Sequence, residues 1–475
     1  MAIRLKGGAH KVGALLVFFV LSVLVEVRPA FSGPSLVVNI DNPNFRKILA
    51  ATPLFFLDPK SASPEGVDMA AQGSNEFSRL LNFSGLFNTM DSAAFKDIMV
   101  KANERWYVDS SIKSVDLTVW KTISVEALTL GMLSQNNGQW TLTIRTIDIA
   151  RGEIIAGKKY SNLTKAQLIP VIRRYADVVM KAYTGKSGIF NSKLTFIGRT
   201  SANASKQVYI SDFDGSNAYP ITKGNVPHLS PSWSTDGRSI VYTSYQDGNP
   251  DLFIYSLATG KSRKLSGMKG INSGGNFSPN GNVVAFTGSV NGDADIYMIP
   301  PSGGTRRLLI SGNGLDVDPT FSPDGKSIAF ASGRFGNPHL FVAQLQWAGD
   351  GGVKVLSDKR VTYAGWYNAT PAWSPESDRL AFAGYDKEID RFDLFLVNPD
   401  GTKLERLTLR AGDNERPWFS PNGQNLVFMS NRTNGQNVKS VHQLFIMNRD
   451  GSNQRQLSTG LYEAQTPSWG PNDER

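Results

Sequence analysis

The sequence predicts a mainly β protein, in which a six-bladed β-propeller over residues 190–475 follows a small α/β domain over residues 33–189. A repeat of blade length recurs along the second part of the chain, and none precedes residue 190. Glycine is abundant, at 45 of 475 residues, whereas only 19% of the residues are charged. Many turn formers and few charges are typical of a β-rich globular protein rather than of a coiled coil or a disordered chain.

Residues 1–32 are predicted to be a cleaved signal peptide. Basic residues up to Lys11 precede a largely apolar run of 14 residues from Val12 to Val25. This run is shorter than the roughly 20 residues that a membrane-spanning helix needs. Because Ala30 and Ser32 are small, we expect cleavage after Ser32 and an exported protein that does not span the membrane.

The domain over residues 33–189 combines strands with two helices. The predicted elements are, in chain order, a strand over Leu36–Ile40, a short buried strand over Leu54–Leu57, a helix over Asp68–Leu81, a hairpin around Asn137-Gly138 and a final helix up to Gly185. Thr164 and Gln167 form a capping box for that last helix. Pro170 lies within its early turns, which places the start of the helix later.

The repeat is marked by an aromatic residue that usually precedes Ser-Pro-Asp/Asn-Gly. The aromatic residues lie 44, 44, 52, 46 and 50 residues apart, and they are Trp233, Phe277, Phe321, Trp373, Phe419 and Trp469. Propeller blades have repeats of about 40–50 residues. Ser-Pro-Asp-Gly suits a type I turn, so we expect each aromatic residue to end the first strand of a blade. The longest spacing predicts an extra loop around Gln346 to Asp358.

Counting the strands predicts how the ring closes. Second, third and fourth strands occur six times, beginning with Leu194-Thr195-Phe196, whereas the aromatic first strand occurs five times within the array. The sixth first strand is the C-terminal Thr466–Trp469, which we expect to complete the blade that the N-terminal strands begin. Closure leaves no large exposed sheet edge. A non-closing solenoid is the alternative, and the matched incomplete ends argue against it.

The composition excludes several kinds of active site. The chain has no cysteine and only four histidines, of which His10 lies in the predicted signal peptide. The other three, His228, His339 and His442, lack ligand spacing, and we expect them to be satisfied or on the surface. The Asp-Gly pairs lack the alternating oxygen ligands of a calcium loop, and no nucleophile-elbow motif is present. We therefore predict no catalytic residue, no metal and no cofactor.

The charge distribution argues against nucleic acid as a partner. The net charge is +9, and it falls to +6 without residues 1–32, with no concentrated basic run. Two functions stay open: an adaptor that bridges proteins, and an exported propeller enzyme that acts on envelope polysaccharide or peptide.

The pattern as a whole resembles the TolB family of the bacterial Tol–Pal envelope system. Segments of the first domain are also similar to that family, namely Val38–Asp41, Ser84–Phe87, Tyr183–Gly185 and Gly188–Phe190. This sequence departs from the family pattern at Thr235, Gly275 and Ser377, which replace a turn proline, a strand proline and a turn glycine. The resemblance implies a monomeric, periplasmic, non-enzymatic adaptor that maintains the outer membrane and supports its invagination during cell division.

The resemblance implies that an N-terminal tail over residues 33–41 binds TolA. An alternating strand at a free terminus can add to the sheet edge of a partner; a strand docked permanently in the α/β domain is the alternative. The expected contact residues are Leu36, Val37, Val38, Asn39, Ile40 and Asp41.

A second site is expected at the mouth of the propeller funnel. In a four-stranded blade, the segments that lead into the first strands lie around the funnel, opposite the Ser-Pro-Asp-Gly turns. The resemblance implies that the peptidoglycan-associated lipoprotein Pal docks there. The expected contact residues are Asn272, Ser273, Gly274, Val317, Asp318, Asn368, Ala369, Thr370, Asn414, Glu415, Arg416, Gln465 and Thr466.

Overall fold

The computed structural model describes residues 46–91, 115–290, 292–348, 352–409, 411–432 and 441–472. A six-stranded sheet with helices comes first along the chain, and six four-stranded sheets follow. The predicted fold class, a six-bladed propeller after an α/β region, is therefore confirmed. The predicted signal peptide over residues 1–32 and the predicted tail over residues 33–41 lie outside the described residues.

The α/β unit is built on a sheet of strand order β3-β1-β4-β5-β6, with β2 paired to β4. Its strands are β1 (Ile48–Ala51), β2 (Phe56–Leu57), β3 (Phe87–Thr89), β4 (Ala127–Asn136), β5 (Gln139–Asp148) and β6 (Glu153–Leu163). Its helices in the described ranges are α1 (Pro64–Ser84), α2 (Leu117–Thr122) and α3 (Leu168–Thr184). The predicted hairpin around Asn137-Gly138 is confirmed as β4 and β5, whereas β1 and β6 were not predicted.

Both long helices end where the sequence places a glycine. Helix α1 starts earlier than predicted because Ser63 caps it, accepting a hydrogen bond from the Gly66 N–H at 3.1 Å. Gly85 and Gly185 follow α1 and α3 with φ of 75° each, the left-handed conformation that glycine adopts most readily. Helix α3 starts after a 3-10 turn, so Pro170 lies in its first turn, where no intrahelical N–H bond is needed.

The helices cover the sheet on both faces. Helices α1 and α3 pack on one face through fully buried side chains such as Phe77 and Tyr175, against Leu142 and Ile144 of β5. Helix α2 contributes Trp120 to a smaller cluster on the other face. Full burial of these large side chains supplies most of the driving force for this unit.

Three blades follow in which all four strands are consecutive. Blade 1 contains β10 (His228–Trp233), β11 (Ser239–Ser244), β12 (Asp251–Ser256) and β13 (Lys261–Ser266). Blade 2 contains β14 (Asn272–Phe277), β15 (Val284–Val290), β16 (Asp293–Ile299) and β17 (Arg307–Ile310). Blade 3 contains β18 (Asp316–Phe321), β19 (Ser327–Ser332), β20 (His339–Trp347) and β21 (Val353–Arg360).

Two further consecutive blades precede the one that closes the ring. Blade 4 contains β22 (Tyr367–Trp373), β23 (Leu380–Asp386), β24 (Arg391–Val397) and β25 (Glu405–Arg406). Blade 5 contains β26 (Asn414–Phe419), β27 (Asn425–Ser430), β28 (Gln443–Asn448) and β29 (Arg455–Gln456). Blade 6 contains β30 (Glu463–Trp469) beside β7 (Lys193–Arg199), β8 (Gln207–Asp212) and β9 (Tyr219–Pro220).

Blade 6 confirms the predicted closure. The C-terminal strand β30 pairs antiparallel with β7, and Ser468 lies opposite Thr195 while Trp469 lies opposite Leu194. The first strand of this blade therefore comes from the far end of the chain.

The turn from the first to the second strand repeats the same hydrogen bonds. In blade 3, Ser322 Oγ accepts from the Ser327 N–H at 2.9 Å and lies 2.6 Å from Asp324 Oδ1, to which it donates. Gly325 then takes φ 71°. In blade 4 the corresponding residue is Ser377, with φ 59°. This conformation costs a residue with a Cβ about 1–2 kcal/mol.

The prediction of an extra loop around Gln346 to Asp358 was wrong. The extra residues lengthen β20 and β21, so that blade 3 has a longer outer hairpin. Val353 and Val355 pack with Trp347 against the core of this blade. The Trp347 Nε1–H donates to the Gly325 carbonyl at 2.6 Å, which ties the extension to the turn.

Candidate functional site

The propeller has two faces of different character. The turns between first and second strands, and between third and fourth strands, lie on one side, which we name the turn face. The connections that lead into the first and third strands lie on the other side, which we name the funnel face. This arrangement follows from the antiparallel order of the four strands in each blade.

The α/β unit lies against the turn face. Phe213 is fully buried, and its ring packs edge-on against Phe83 and Phe190 at 4.9 and 5.3 Å between centroids. Arg173 of α3 donates to Asp212 at 2.9 Å, and Asn422 of a blade 5 turn donates to the Ser187 carbonyl at 2.9 Å. The apolar cores of the α/β unit and blade 6 form one continuous cluster. The α/β unit therefore covers the part of the turn face that blades 5 and 6 form.

A ring of left-handed residues lines the channel of the propeller. Each ring residue comes three positions before the aromatic residue that ends a first strand, where the pairing with the second strand is irregular. Their φ values lie between 48° and 65°, and the residues are Ser230, Gly274, Asp318, Thr370, Arg416 and Thr466. A cavity of about 70 Å³ lies among them. The structure thus brings together five predicted residues and adds Ser230, which the constant offset from the aromatic residue would have revealed.

An ion pair crosses this ring. Arg416 Nη1 lies 3.1 Å from Asp318 Oδ1, and these residues belong to blades 5 and 3. The carboxylate of Asp318 raises the pKa of the Arg416 guanidinium, whereas burial raises the pKa of the neighbouring Glu415. Asp318 is therefore held in an ion pair with Arg416.

Three predicted contact residues have buried side chains. Asn272, Asn368 and Asn414 are 0%, 2% and 0% exposed. The Nδ2 group of Asn272 donates to the Met268 carbonyl at 2.8 Å, and that of Asn368 donates to the Ala364 carbonyl at 2.9 Å. These amides hold the connections between blades in place through hydrogen bonds, and because they are buried they are not available to a partner.

The remaining predicted residues lie around the funnel with different degrees of exposure. Ala369 is buried, whereas the others outside the ring are half-buried: Ser273, Val317, Glu415 and Gln465.

Large apolar side chains are exposed on the funnel face, and sequence reasoning did not single them out. Phe335 and Tyr363 are 72% and 73% exposed. The full set lies in connections of blades 2 to 6 and consists of Ile271, Val290, Leu315, Phe335, Tyr363, Trp366, Leu409 and Tyr462. An apolar residue in a connection that leads into a first strand was the available signal. Because binding residues often lie in loops on a rigid scaffold, these side chains are candidates for contact with a partner.

The histidines differ from the expectation of satisfied or surface imidazoles. His339 bonds with Asn368 at 2.9 Å, in line with the expectation. His228 contradicts it, because the side chain is 3% exposed and neither ring nitrogen has a hydrogen-bond partner among the described residues. Burial lowers the pKa of His228 to about 4, since the ring packs edge-on against Tyr242 in an apolar setting. His442 Nε2 lies 3.9 Å from Glu415 Oε1 beside the funnel.

Searches for metal sites and membrane spans give negative results within the described ranges. No group of three or more His, Cys, Asp and Glu residues there is arranged to hold a metal ion. None of the helices in the same ranges has the length and apolar character needed to cross a membrane.

Comparisons with known proteins agree with the fold. Residues 180–473 match the family described as the TolB beta propeller domain. The Tol-Pal system protein TolB of Hydrogenovibrio crunogenus is 39% identical over 366 residues, which cover 76% of this chain and 80% of that protein. The protein of the same name from Desulfosudis oleivorans is 34% identical over 242 residues, which cover 51% of this chain and 52% of that protein. This chain thus matches about half the length of that second relative.

A solved structure has the same architecture. The crystal structure of TolB from Acinetobacter baumannii aligns with a TM-score of 0.73 at 22% identity, covering 90% of this chain and 97% of that one. The chain is thus a β-propeller protein with an α/β unit against its turn face. The chain belongs to the TolB family of the Tol-Pal system.

Proposed function

We propose that this chain is a periplasmic adaptor of the Tol–Pal system. Its funnel face binds the peptidoglycan-associated lipoprotein Pal, and its N-terminal tail over residues 33–41 binds TolA. Through these two contacts the protein maintains the integrity of the outer membrane and supports its invagination during cell division. The observation that carries this proposal is the set of large apolar side chains that the funnel face exposes, on the side of the propeller opposite its α/β unit.

The residues of the funnel face suit a protein interface. Specific interfaces bury about 1,600 Å² in total, with aromatic residues near the centre and a polar rim. Phe335, Tyr363 and Trp366 supply exposed aromatic rings, and the half-buried Thr370 and Gln465 supply polar groups nearer the channel. We place the main contacts on the exposed rings, while the buried amides Asn272, Asn368 and Asn414 hold the connections that carry them.

Binding rather than catalysis is supported by the chemistry of the funnel. Asp318, a carboxylate on the channel wall, is neutralised by Arg416 at 3.1 Å. The polar residues around it are hydroxyls and amides, which suit hydrogen bonding to a partner.

The proposed tail interaction rests on the alternating sequence Leu36-Val37-Val38-Asn39-Ile40. An extended segment at a terminus can pair with the edge of a partner's sheet, where main-chain hydrogen bonds supply affinity and alternate side chains supply specificity.

One pair of variants tests both contacts, and each serves as the control of the other. Tyr363→Ser removes an exposed ring whose hydroxyl contacts only the Arg360 carbonyl among the described residues. We expect Pal affinity to fall about tenfold or more, as for a residue inside an interface, with TolA binding unchanged. Deletion of residues 33–41 should abolish TolA binding and leave Pal affinity unchanged.

A matched surface control completes the experiment. Leu308→Ser replaces a side chain that is 53% exposed on β17, at the outer edge of blade 2 and away from the funnel. Pal binding should be normal in this variant. Normal Pal affinity in Tyr363→Ser together with a loss in Leu308→Ser would place the site elsewhere. Full TolA binding by the deletion variant would refute the role of the tail.

A further inference from the structure

Three blades share a glycine at the same position of the second strand. Gly198, Gly288 and Gly384 lie opposite Ala464, Asn272 and Asn368 of the first strands. In each case the glycine lets an aromatic ring of the third strand lie close to the backbone of the second strand. A Cβ at the glycine would come within about 3 Å of that ring, which belongs to Tyr209, Tyr297 or Phe395. The repeat therefore builds the same recess three times.

In two of these blades the chain fills the recess with its own side chain. A Cβ on Gly288 would collide with Met268 Cε, and a Cβ on Gly198 would lie 2.6 Å from Leu461 Cδ1. Met268 is 4% exposed, and both residues belong to the connection that leads into a first strand. The recess accepts an aliphatic side chain of the size of Met or Leu.

Blade 4 lacks an aliphatic plug: a Cβ on Gly384 would instead lie 2.9 Å from Asn368 Oδ1, so an amide oxygen occupies the inner end of the recess. Ala364 occupies the position of Met268, since its carbonyl accepts a hydrogen bond from Asn368 just as the Met268 carbonyl accepts one from Asn272. The methyl group of Ala364 and the amide of Asn368 leave the rest of the recess unfilled. A cavity of about 420 Å³ remains there, with Phe382 and Phe395 among its walls. We name this cavity the blade 4 socket.

The rim of the socket carries a cation without a carboxylate partner. Lys387 Nζ lies 2.8 Å from the centroid of the Trp366 ring, which is 47% exposed. Among the described residues, no carboxylate lies within ion-pair distance of Lys387, whereas Arg406 on the opposite wall is paired with Asp386 and Asp393. Glu388 follows Lys387 on the rim and is exposed.

We propose that the blade 4 socket is a docking site for a segment of a partner protein that inserts a Met or Leu side chain and places an acidic residue beside Lys387. The aliphatic anchor follows from the two recesses that Met268 and Leu461 already fill. The acidic neighbour follows from the unpaired charge of Lys387, which gains a carboxylate partner in addition to the indole ring. A volume of this size is typical of sites that bind small ligands or single anchor residues.

A short peptide pair tests the proposal without any assumption about Pal. The probe is fluorescently labelled Ser-Glu-Met-Glu-Ser with blocked termini, compared with the same peptide carrying Ala in place of Met. Anisotropy titrations should give saturable binding of the Met peptide by the full chain, with a dissociation constant of about 0.1–1 mM, as expected for a single anchor. The Ala peptide should bind at least tenfold more weakly.

Variants of this chain localise the binding. Ala364→Met supplies the plug that blade 2 already has, so the Met peptide should bind at least tenfold more weakly, whereas the matched control Ala364→Ser leaves the socket open and should bind normally. Lys387→Gln should weaken binding about threefold, and Glu388→Gln on the same rim should not weaken it. If Ala364→Met does not fold, as judged by its thermal unfolding, the Lys387 and Glu388 variants and the peptide pair decide.

Several results would overturn the proposal. They are equal binding of the Met and Ala peptides, undiminished binding by folded Ala364→Met, and the absence of saturable binding up to about 5 mM peptide. Because none of these measurements involves Pal, they leave the proposed adaptor function to its own test.

Discussion

Asp212 joins the propeller to the α/β unit through a buried charge network, and replacing it should lower the free energy of unfolding. Its carboxylate is 7% exposed at the end of β8. It accepts hydrogen bonds from Arg173, Lys193 and Asn217 at 2.9, 2.8 and 2.7 Å. The perturbation is Asp212→Asn, which keeps the shape of the side chain and removes its charge.

The magnitude follows from the pKa of Asp212. Burial alone would raise this pKa, but the hydrogen bonds from Lys193 and Asn217 and the nearby cations outweigh it and lower the pKa to about 2, from an ordinary value of 3.8. A shift of this size corresponds to about 2 kcal/mol of folding free energy at neutral pH. Lys193 is 47% exposed and screened by solvent, so we expect about 1–2 kcal/mol. Arg173 keeps a partner in Glu76 at 3.2 Å, which limits the loss.

The pH dependence gives the sharper test. Because the folded-state pKa is lowered, this stabilisation is complete above the unfolded pKa of about 3.8 and is lost as the pH falls toward 2. Urea unfolding of the wild type and Asp212→Asn should therefore differ by about 1–2 kcal/mol at pH 7 and by roughly half as much at pH 3.

The control is Asp400→Asn, which changes an exposed carboxylate in a turn of blade 4. Its side chain accepts hydrogen bonds from the N–H and the hydroxyl of Thr402, at 2.9 and 2.6 Å. Its unfolding midpoint should match that of the wild type. A difference between the wild type and Asp212→Asn that stays constant from pH 7 to pH 3 would refute the assignment of the stabilisation to this ionised carboxylate.

Two further predictions concern single residues in unusual settings. The buried His228 has a folded-state pKa of about 4, below its ordinary 6.5, so the unfolded chain binds the proton more readily and stability is lost as the pH falls from 6.5 toward 4. His228→Phe should therefore gain about 1–2 kcal/mol relative to the wild type at pH 5 and nothing from this source at pH 8; equal differences at both values would contradict it. Ser377→Gly should stabilise the protein by about 0.5 kcal/mol in urea unfolding, because relief of the left-handed conformation exceeds the entropic cost of glycine. A loss of stability would instead show that the contact of Ser377 Oγ with the Asp324 N–H at 3.4 Å matters more.

The propeller could be predicted from the sequence because the same turn residues mark most copies of its repeat. An aromatic residue followed by Ser-Pro-Asp-Gly fixes one strand end and one turn in each copy, and the leftover strand Thr466–Trp469 identifies the closing partner. The α/β unit has no such repetition. Strand β1 has the sequence Ile-Leu-Ala-Ala, which lacks the alternation of a strand with one buried face. Strand β6 contains Gly157 and two lysines, which weaken the strand pattern in the sequence, although β6 pairs with β5 from Glu153 to Leu163.

The candidate site was predictable in position but not in chemistry. The segments leading into the first strands do surround the channel, yet sequence does not distinguish a solvated amide from one that is buried under a loop. Asn272 and Asn414 therefore looked like contact residues although both are fully buried. The socket of blade 4 could not be predicted from the sequence, because it is a space that the short side chain of Ala364 leaves unfilled.

The strand pairing that closes the ring also sets an order of assembly. Strands β7 and β30 are neighbours in space, but Thr195 and Ser468 are separated by most of the propeller sequence. During synthesis the apolar edge of β7 stays unpaired until the last blade-forming residues have emerged, since no earlier segment supplies its partner. A chain that stops before Glu463 would carry five complete blades and one open edge, and such an edge pairs readily with other chains. The last strand of the propeller to be synthesised therefore covers the edge that would otherwise pair with other chains.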